Sequence, residues 1–264
     1  MGQAYFQSWS PSRLEKYELC PARAKWEILD KKCPYCFKGT MKGKFGEAQT
    51  CDTCKKVEEV AAPLVRGNRI GDEIDAFIMG GKKMPIEVKN EEVIAYLKKV
   101  KASMAKGRAM IQKWLKLDHT WKALPDSDWS AWFNGRLDVL VREYGWKTVT
   151  VIDWKTGGVD KNGVVKPDSG NKYKDQLDSY QVGVLSYFPD VQEVKAVLVF
   201  TDTAKGEEPC VASDAMVRSQ LAAKQRGWVK RLQPYFADRD FAPRVNYKCH
   251  YCPFSHARGG PCPF

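Results

Sequence analysis

No apolar run in the sequence approaches the roughly 18 residues that a membrane helix requires, so a spanning helix is excluded. The first ten residues carry neither a charged start nor an apolar stretch, so no secretory signal is read there. The expected setting is therefore cytoplasmic, intracellular and reducing. Histidine is scarce: His119, His250 and His256 are the only three, and none sits in a pattern that marks a catalytic base. No internal repeat occurs apart from paired cysteine knuckles, which excludes a repeat architecture. What is present is a chain of 264 residues with 44% hydrophobic content, enough to bury a core in one large domain or two small ones.

Nine cysteines without a secretory signal, several at C-x2-C spacing, point to metal rather than to disulfides. Cys33-Pro34-Tyr35-Cys36 and Cys51-Asp52-Thr53-Cys54 are paired knuckles that place four thiolates within tetrahedral reach, and structural zinc is the expected metal. The Gly- and Lys-rich stretch between them reads as a short hairpin, and residues 31–61 read as an inserted zinc ribbon. Its lysines (Lys38, Lys42, Lys44, Lys55 and Lys56) favour DNA. Docking of a protein partner and a purely structural role stay open. The formal charge is +11. Two four-thiolate metal sites at about −2 each would leave it near +7, still basic enough to favour a polyanion.

The pattern of apolar residues predicts the elements. Ser10 and Pro11 open a helix through Leu14, Tyr17 and Cys20 towards Ile28. A second helix covers 67–79, with Ile70, Ile74, Phe77 and Ile78 on one face, and Gly80-Gly81 ends it. A long helix is predicted over 91–117 on the stripe Val93, Tyr96, Leu97, Val100, Met104, Ile111, Trp114 and Leu115. Two strand-like runs, 132–142 and 148–153, form a hairpin through 143–147. A loop over 157–171, a helix over 173–187, a strand over 193–200 and a helix over 213–236 follow. The tail, 239–264, has little periodicity and needs a staple.

The hairpin carries the chemistry. Asp138 lies on its first strand, and the second ends in Asp153-Trp154-Lys155. Alternation puts Asp153 and Lys155 on one face, and pairing the strands brings Asp138 beside Asp153. Two adjacent carboxylates repel each other and bind a divalent cation. An ammonium beside them can hold a water or steady charge on a phosphate. Alone, Asp-x-Lys at a strand end describes a surface ion pair equally well. Its context is richer: Thr156-Gly157 follows at once, and Gln176 and Tyr180 share a face of the next helix.

Asp138, Asp153 with Lys155, and the Gln176-to-Tyr180 Q-x-x-x-Y pattern resemble the ordered motifs of the RecB-like branch of the PD-(D/E)XK nucleases. The opening Ser10-Pro11-Ser12-Arg13-Leu14, Tyr17 and Cys20-Pro21 is similar to that branch's first helix. The resemblance spans nearly the whole chain outside the cysteine insertion. It implies an α/β, restriction-endonuclease-like core with a central mixed sheet flanked by helices, built from 1–30 and 62–264. It also implies a DNA nuclease that uses Mg2+ or Mn2+ held by Asp138 and Asp153, expected to be an exonuclease acting on ends or single strands. Lys155 would assist water and the transition-state charge, and Gln176 and Tyr180 would orient backbone and lysine. One position departs from the family pattern. Gly71 stands where G-x-x-x-H would place a metal-binding histidine, as the last residue of Gly67-Asn68-Arg69-Ile70-Gly71. A weakened site, substitution by Asp72 or Glu73, and an engineered change are the three readings.

Cys20 before the core and Cys249, Cys252 and Cys262 after it resemble the layout of iron–sulphur nucleases of CRISPR adaptation and AddB-type helicase-nucleases. By that resemblance they would hold a 4Fe–4S cluster that fastens the tail to the first helix. The rival is a local zinc site formed by Cys249, Cys252, His256 and Cys262. Cys210 is left over, an inert thiol. Two other functions compete with the nuclease: a nuclease fold that grips DNA or a partner but cuts poorly, and an RNA-binding zinc protein.

Overall fold

The computed structural model describes residues 5–43, 47–143 and 147–264, with backbone alone at 170–172. The turn of the predicted hairpin at 144–146 lies outside the described residues. Contacts divide the chain into two compact units: 5–65 with Trp228–Phe264, and Arg66–Gly227.

In the first unit, α1 (Pro11–Leu19) begins with Pro11 in its first turn. Ser10 sits at the cap position, but its hydroxyl meets Ser12 Oγ (3.2 Å) rather than a backbone N–H. The helix breaks at Cys20, which is extended (φ −161°), as expected for a residue before proline. The chain resumes in α2 (Pro21–Ala24) and a π-helical turn, Lys25–Leu29. Strands β1 (Met41–Lys42), β2 (Gln49–Cys51) and β3 (Val57–Glu58) form a small antiparallel sheet. Phe6 stacks on Tyr235 at 4.4 Å and Trp9 on Trp228 at 4.9 Å. Aromatics also order the tail that lacked periodicity: Phe6 meets Phe241 edge-on at 5.6 Å, and Trp26 meets Phe254 at 5.2 Å. Asn246 Nδ2 donates to the Leu19 carbonyl (3.1 Å), tying the tail to the end of α1.

Among the described residues the second unit is a six-stranded mixed sheet in which β4 (Ala109–Leu117), β5 (Phe133–Arg142), β6 (Thr148–Lys155), β7 (Glu193–Phe200) and β8 (Cys210–Ala212) are neighbours in that order, with β9 (Met216–Val217) pairing on β7. Helix α3 (Ala62–Ile78) and helix α4 (Glu91–Ala105) lay Ile70, Ile74, Phe77, Val93, Leu97 and Val100 on the sheet. These meet Val139, Ile152, Val197 and Val199 in one apolar cluster. Buried Asn90 caps α4, its Oδ1 accepting the N–H groups of Glu92 (2.9 Å) and Val93 (3.2 Å).

The predicted helix over 91–117 is corrected here: it ends at Ala105, and β4 (Ala109–Leu117) is a strand. Gly107 (φ +65°) closes α4 in a Schellman arrangement. Its N–H bonds the Met104 carbonyl at 2.9 Å and the Arg108 N–H bonds the Ser103 carbonyl at 2.8 Å. The apolar residues after Gly107 mimicked a helical stripe, but they pair antiparallel with β5 (Phe133–Arg142). Then β5 pairs with β6 (Thr148–Lys155), as the hairpin predicted. Helix α5 (Ser169–Tyr187) starts four residues earlier than predicted and leads to β7 (Glu193–Phe200), which runs parallel to β6. The predicted helix over 213–236 is corrected too. Strands β8 (Cys210–Ala212) and β9 (Met216–Val217) pair with β7 first, and α6 occupies Leu221–Ala237. The architecture is the restriction-endonuclease-like one, a central mixed sheet flanked by helices, with a four-cysteine cluster in the small sheet that fits a zinc ribbon.

Candidate active site

The ladder between β5 and β6 stops at the pair Val139–Ile152. One residue further, the side chain of Asp138 replaces the ladder: its Oδ2 accepts the Trp154 N–H at 3.0 Å. The two carboxylates therefore meet where the strands part. Asp153 is only 3% exposed. Its Oδ1 accepts from Gln176 Nε2 (2.9 Å) and its Oδ2 lies 2.5 Å from Lys155 Nζ.

Helix α5 closes the group. Gln176 Oε1 accepts from Lys155 Nζ at 3.2 Å, and Gln176 Nε2 also donates to the Tyr180 hydroxyl at 2.9 Å. Tyr180 donates in turn to the Arg136 carbonyl (3.1 Å). Lys155 Nζ also stands over the Tyr173 ring at 4.6 Å. The structure thus brings together all five residues singled out for catalysis: Asp138, Asp153, Lys155, Gln176 and Tyr180.

The electrostatics are those of an acid pair short of positive charge. Burial, and then the charge of Asp153, push Asp138 up to about 7. Burial likewise raises Asp153, against the opposing pull of Lys155. One ammonium does not relieve two buried carboxylates. Gln112, across the β4–β5 pairing from Asp138, adds a buried Oε1 without a hydrogen-bond partner among the described residues. These donors fit a divalent cation.

Glycines set the approach of α3. A Cβ on Gly67 would lie 2.9 Å from Thr156 Oγ1, so glycine lets the helix close on the loop after Lys155. That loop is held by Asp202, which accepts the Gly157 N–H (2.7 Å) and pairs with Arg66 through both oxygens at 2.8 Å. Gly71 is different: a Cβ there meets nothing within 4 Å. Of the two residues offered as substitutes, Glu73 is committed to Arg69 (2.8 Å) and to the Ile86 N–H (3.2 Å), and Asp72 is exposed.

The carboxylate that α3 does turn towards the pair was missed from sequence. It is Asp75, one turn beyond Gly71, bonded by Gln112 Nε2 at 2.9 Å and raised by burial. Its charge also acts to raise Asp138. The signal was the i, i+4 relation to Gly71 on one helix face.

The model of one family, the PD-(D/E)XK nuclease superfamily, matches residues 8–257. The chain belongs to the PD-(D/E)XK nuclease superfamily. No curated protein matches it. A metal-dependent nuclease, a phosphodiester hydrolase that binds nucleic acid, is what this membership supports in general.

The nuclease carries two sets of thiols. Cys33, Cys36, Cys51 and Cys54 keep their sulphurs within 4.8 Å of one another. The Cys33–Cys54 and Cys36–Cys51 separations are 3.8 and 3.7 Å, and tetrahedral thiolates about 2.3 Å from one ion stand roughly 3.8 Å apart. The Gly39 N–H points at Cys36 Sγ (3.4 Å) and holds that thiol down, at about 6. A Cβ on Gly39 would reach 2.5 Å from Cys51 Sγ, so glycine is needed there. The donor set fits a single metal ion.

Cys20, Cys249, Cys252 and Cys262 line one cavity with Arg23 and Trp26. Among the described residues no three of these thiols draw within the single-ion spacing that the first set shows. His256 is exposed and does not line the cavity. Among the described residues no helix is long and apolar enough to cross a membrane.

Proposed function

We propose that the protein is a Mg2+- or Mn2+-dependent deoxyribonuclease of the RecB-like branch, an exonuclease acting on DNA ends or single strands. Localisation in a reducing, cytoplasmic compartment goes with this reading. The observation that carries it is the pair Asp138 and Asp153 at the parting of β5 and β6, with Lys155 against them and Gln176–Tyr180 behind.

Asp138 and Asp153 would hold the cation, with Asp75 facing them from α3. Bound there, the metal would activate a water and neutralise phosphate charge. The chain's own part is positional. Gln176 fixes both Asp153 and Lys155 through its two amide ends, so the ammonium is oriented before substrate arrives. Lys155 supplies a cation to the developing charge. Asp153→Ala and Lys155→Ala are each expected to abolish Mn2+-dependent cutting of labelled DNA, as chelation does in the intact protein. Cutting that persists in both variants sinks the assignment.

Residues 31–61 form the proposed zinc ribbon, with Cys33, Cys36, Cys51 and Cys54 as ligands and a protein partner as a possible client of its outer surface. The nuclease core is proposed to comprise 1–30 and 62–264. Cys20, Cys249, Cys252 and Cys262 would hold a 4Fe–4S cluster. The shared cavity supports this, because it gathers all four thiols beside Arg23 and Trp26.

The open space at Gly71 favours a second reading, a weakened nuclease whose fold grips nucleic acid better than it cuts. Gly71→His is expected to raise Mn2+-dependent cutting on the order of tenfold or more, the yield of 1–2 kcal/mol of added transition-state binding. A Cβ there meets nothing within 4 Å, and the substitution replaces a glycine within a helix. An initial rate unchanged from the parent removes the weakened-site reading.

A further inference from the structure

We infer that β4 and its following loop carry a stacking track for single-stranded nucleic acid, with Trp114 and Trp129 as base platforms and Arg136 as a phosphate contact. The track leads to the proposed cleavage site and so rests on the nuclease reading for its purpose, although not for its existence.

Gln112 has a left-handed backbone (φ +50°) and reaches Asp75 on α3. Trp114 stands two residues further along β4 and is 41% exposed. Its register partner is Arg136, whose guanidinium lies 5.8 Å from the indole centroid. Arg136 is exposed and makes no side-chain hydrogen bond or ion pair among the described residues, while its charge is felt at Asp75 and Tyr180. A cation with no hydrogen-bond or ion-pair partner among the described residues, beside an exposed indole and at the edge of the acid pair, suits a phosphate next to a base.

The next step is Lys116, two residues beyond Trp114. Its Nζ donates to the Asp128 carbonyl (2.8 Å) and stands 4.6 Å from the ring centre of Trp129. Trp129 is 93% exposed, yet it projects from a fixed loop rather than a loose one. Asp118 accepts the N–H groups of Thr120 (2.8 Å) and Lys122 (3.0 Å), and Asp128 accepts that of Ser130 (2.7 Å). Buried Trp121 packs edge-on against Trp132 at 5.1 Å. A rigid loop that holds a large apolar ring in water leaves that ring ready for a partner.

Exposure of the rings identifies the partner as a single strand. An indole held in water stacks on an open base face. The bases of a single strand offer such faces, whereas those inside a duplex are already covered by their neighbours. Stacking of this kind tolerates any base sequence.

The test is fluorescence anisotropy in chelator, so that no cutting is required. The probes are short labelled oligothymidylate, oligouridylate of equal length and a blunt duplex. Trp114→Ala and Trp129→Ala are each expected to weaken single-strand binding by roughly 5- to 150-fold, the range for loss of one base–aromatic stack. The blunt duplex should change far less, and Trp114→Tyr and Trp129→Tyr should retain most of the affinity. The tighter of the two single-stranded probes names the natural source. Alanine variants that bind both single strands within about twofold of the parent overturn the track. So does an equal loss on the duplex, or a parent that prefers the duplex. If binding depends on the tryptophans while no divalent ion elicits cutting, the nuclease reading fails and the track stands. If cutting depends on Asp153 while the tryptophans are silent in binding, only the track fails.

Discussion

Asp138→Asn is expected to abolish cutting and, in chelator, to make the protein more stable than its parent. The amide keeps the shape of the carboxylate and can still accept the Trp154 N–H that ends the β5–β6 ladder. What it removes is a charge. Burial and the neighbouring Asp153 raise Asp138 to about 7 from an ordinary value of 3.8. A carboxyl raised in the fold opposes folding once ionised. The penalty is absent below pH 3.8, grows as pH rises to about 7, and is complete above it. Full relief would be on the order of 4 kcal/mol at most, because each tenfold change in proton affinity is worth about 1.4 kcal/mol. The metal-free variant should therefore melt several degrees above the parent at neutral pH and level with it near pH 4. Cutting should fall by at least roughly 10²–10³-fold, the loss that follows removal of one transition-state group elsewhere. Mg2+ should raise the melting temperature of the parent and leave that of the variant nearly unmoved. A variant that melts lower than the parent across the whole pH range would contradict the strained acid pair.

That strain also explains what could be read in advance. Asp138, Asp153 and Lys155 were legible because strand period and hairpin pairing are local rules, and both held up to the residue where the ladder stops. Gln176 and Tyr180 were legible from helix period alone. The stretch after α4 was not. Ile111, Trp114 and Leu115 fit a helical stripe as well as a strand. The break between them rests on one glycine in a left-handed conformation, which the apolar count outweighed. The same misreading placed Trp114 in a core stripe, whereas it is exposed on β4 beside Arg136. Asp75 was not legible because the family pattern marks only the position of Gly71, and sequence neighbours of a helical residue point away from its face. On a helix the next residue facing the same way lies one turn on. The tail gave no periodic signal because ring contacts such as Trp26–Phe254 hold it, and these join residues far apart in sequence.

The two thiol sets should fail separately. Cys36→Ser is expected to remove one equivalent of zinc and to open 33–58 to protease, while iron and sulphide are retained. The small sheet has very short strands, and its buried core is Cys33, Met41 and Cys51, so little besides the metal can hold it. Structural zinc contributes about 10–16 kcal/mol in isolated fingers, far more than three short strands supply. Cys20→Ser should do the reverse: iron, sulphide and the visible absorption are lost from anaerobically purified protein, and zinc stays. Release of the tail should be partial, because the Asn246–Leu19 bond and the contact of Phe6 with Phe241 do not depend on the thiols. With three thiols left and His256 outside the cavity, a zinc ion lacks a fourth ligand there, so zinc should not replace the lost cluster. Two zinc ions and no iron in the parent would instead assign the tail to zinc.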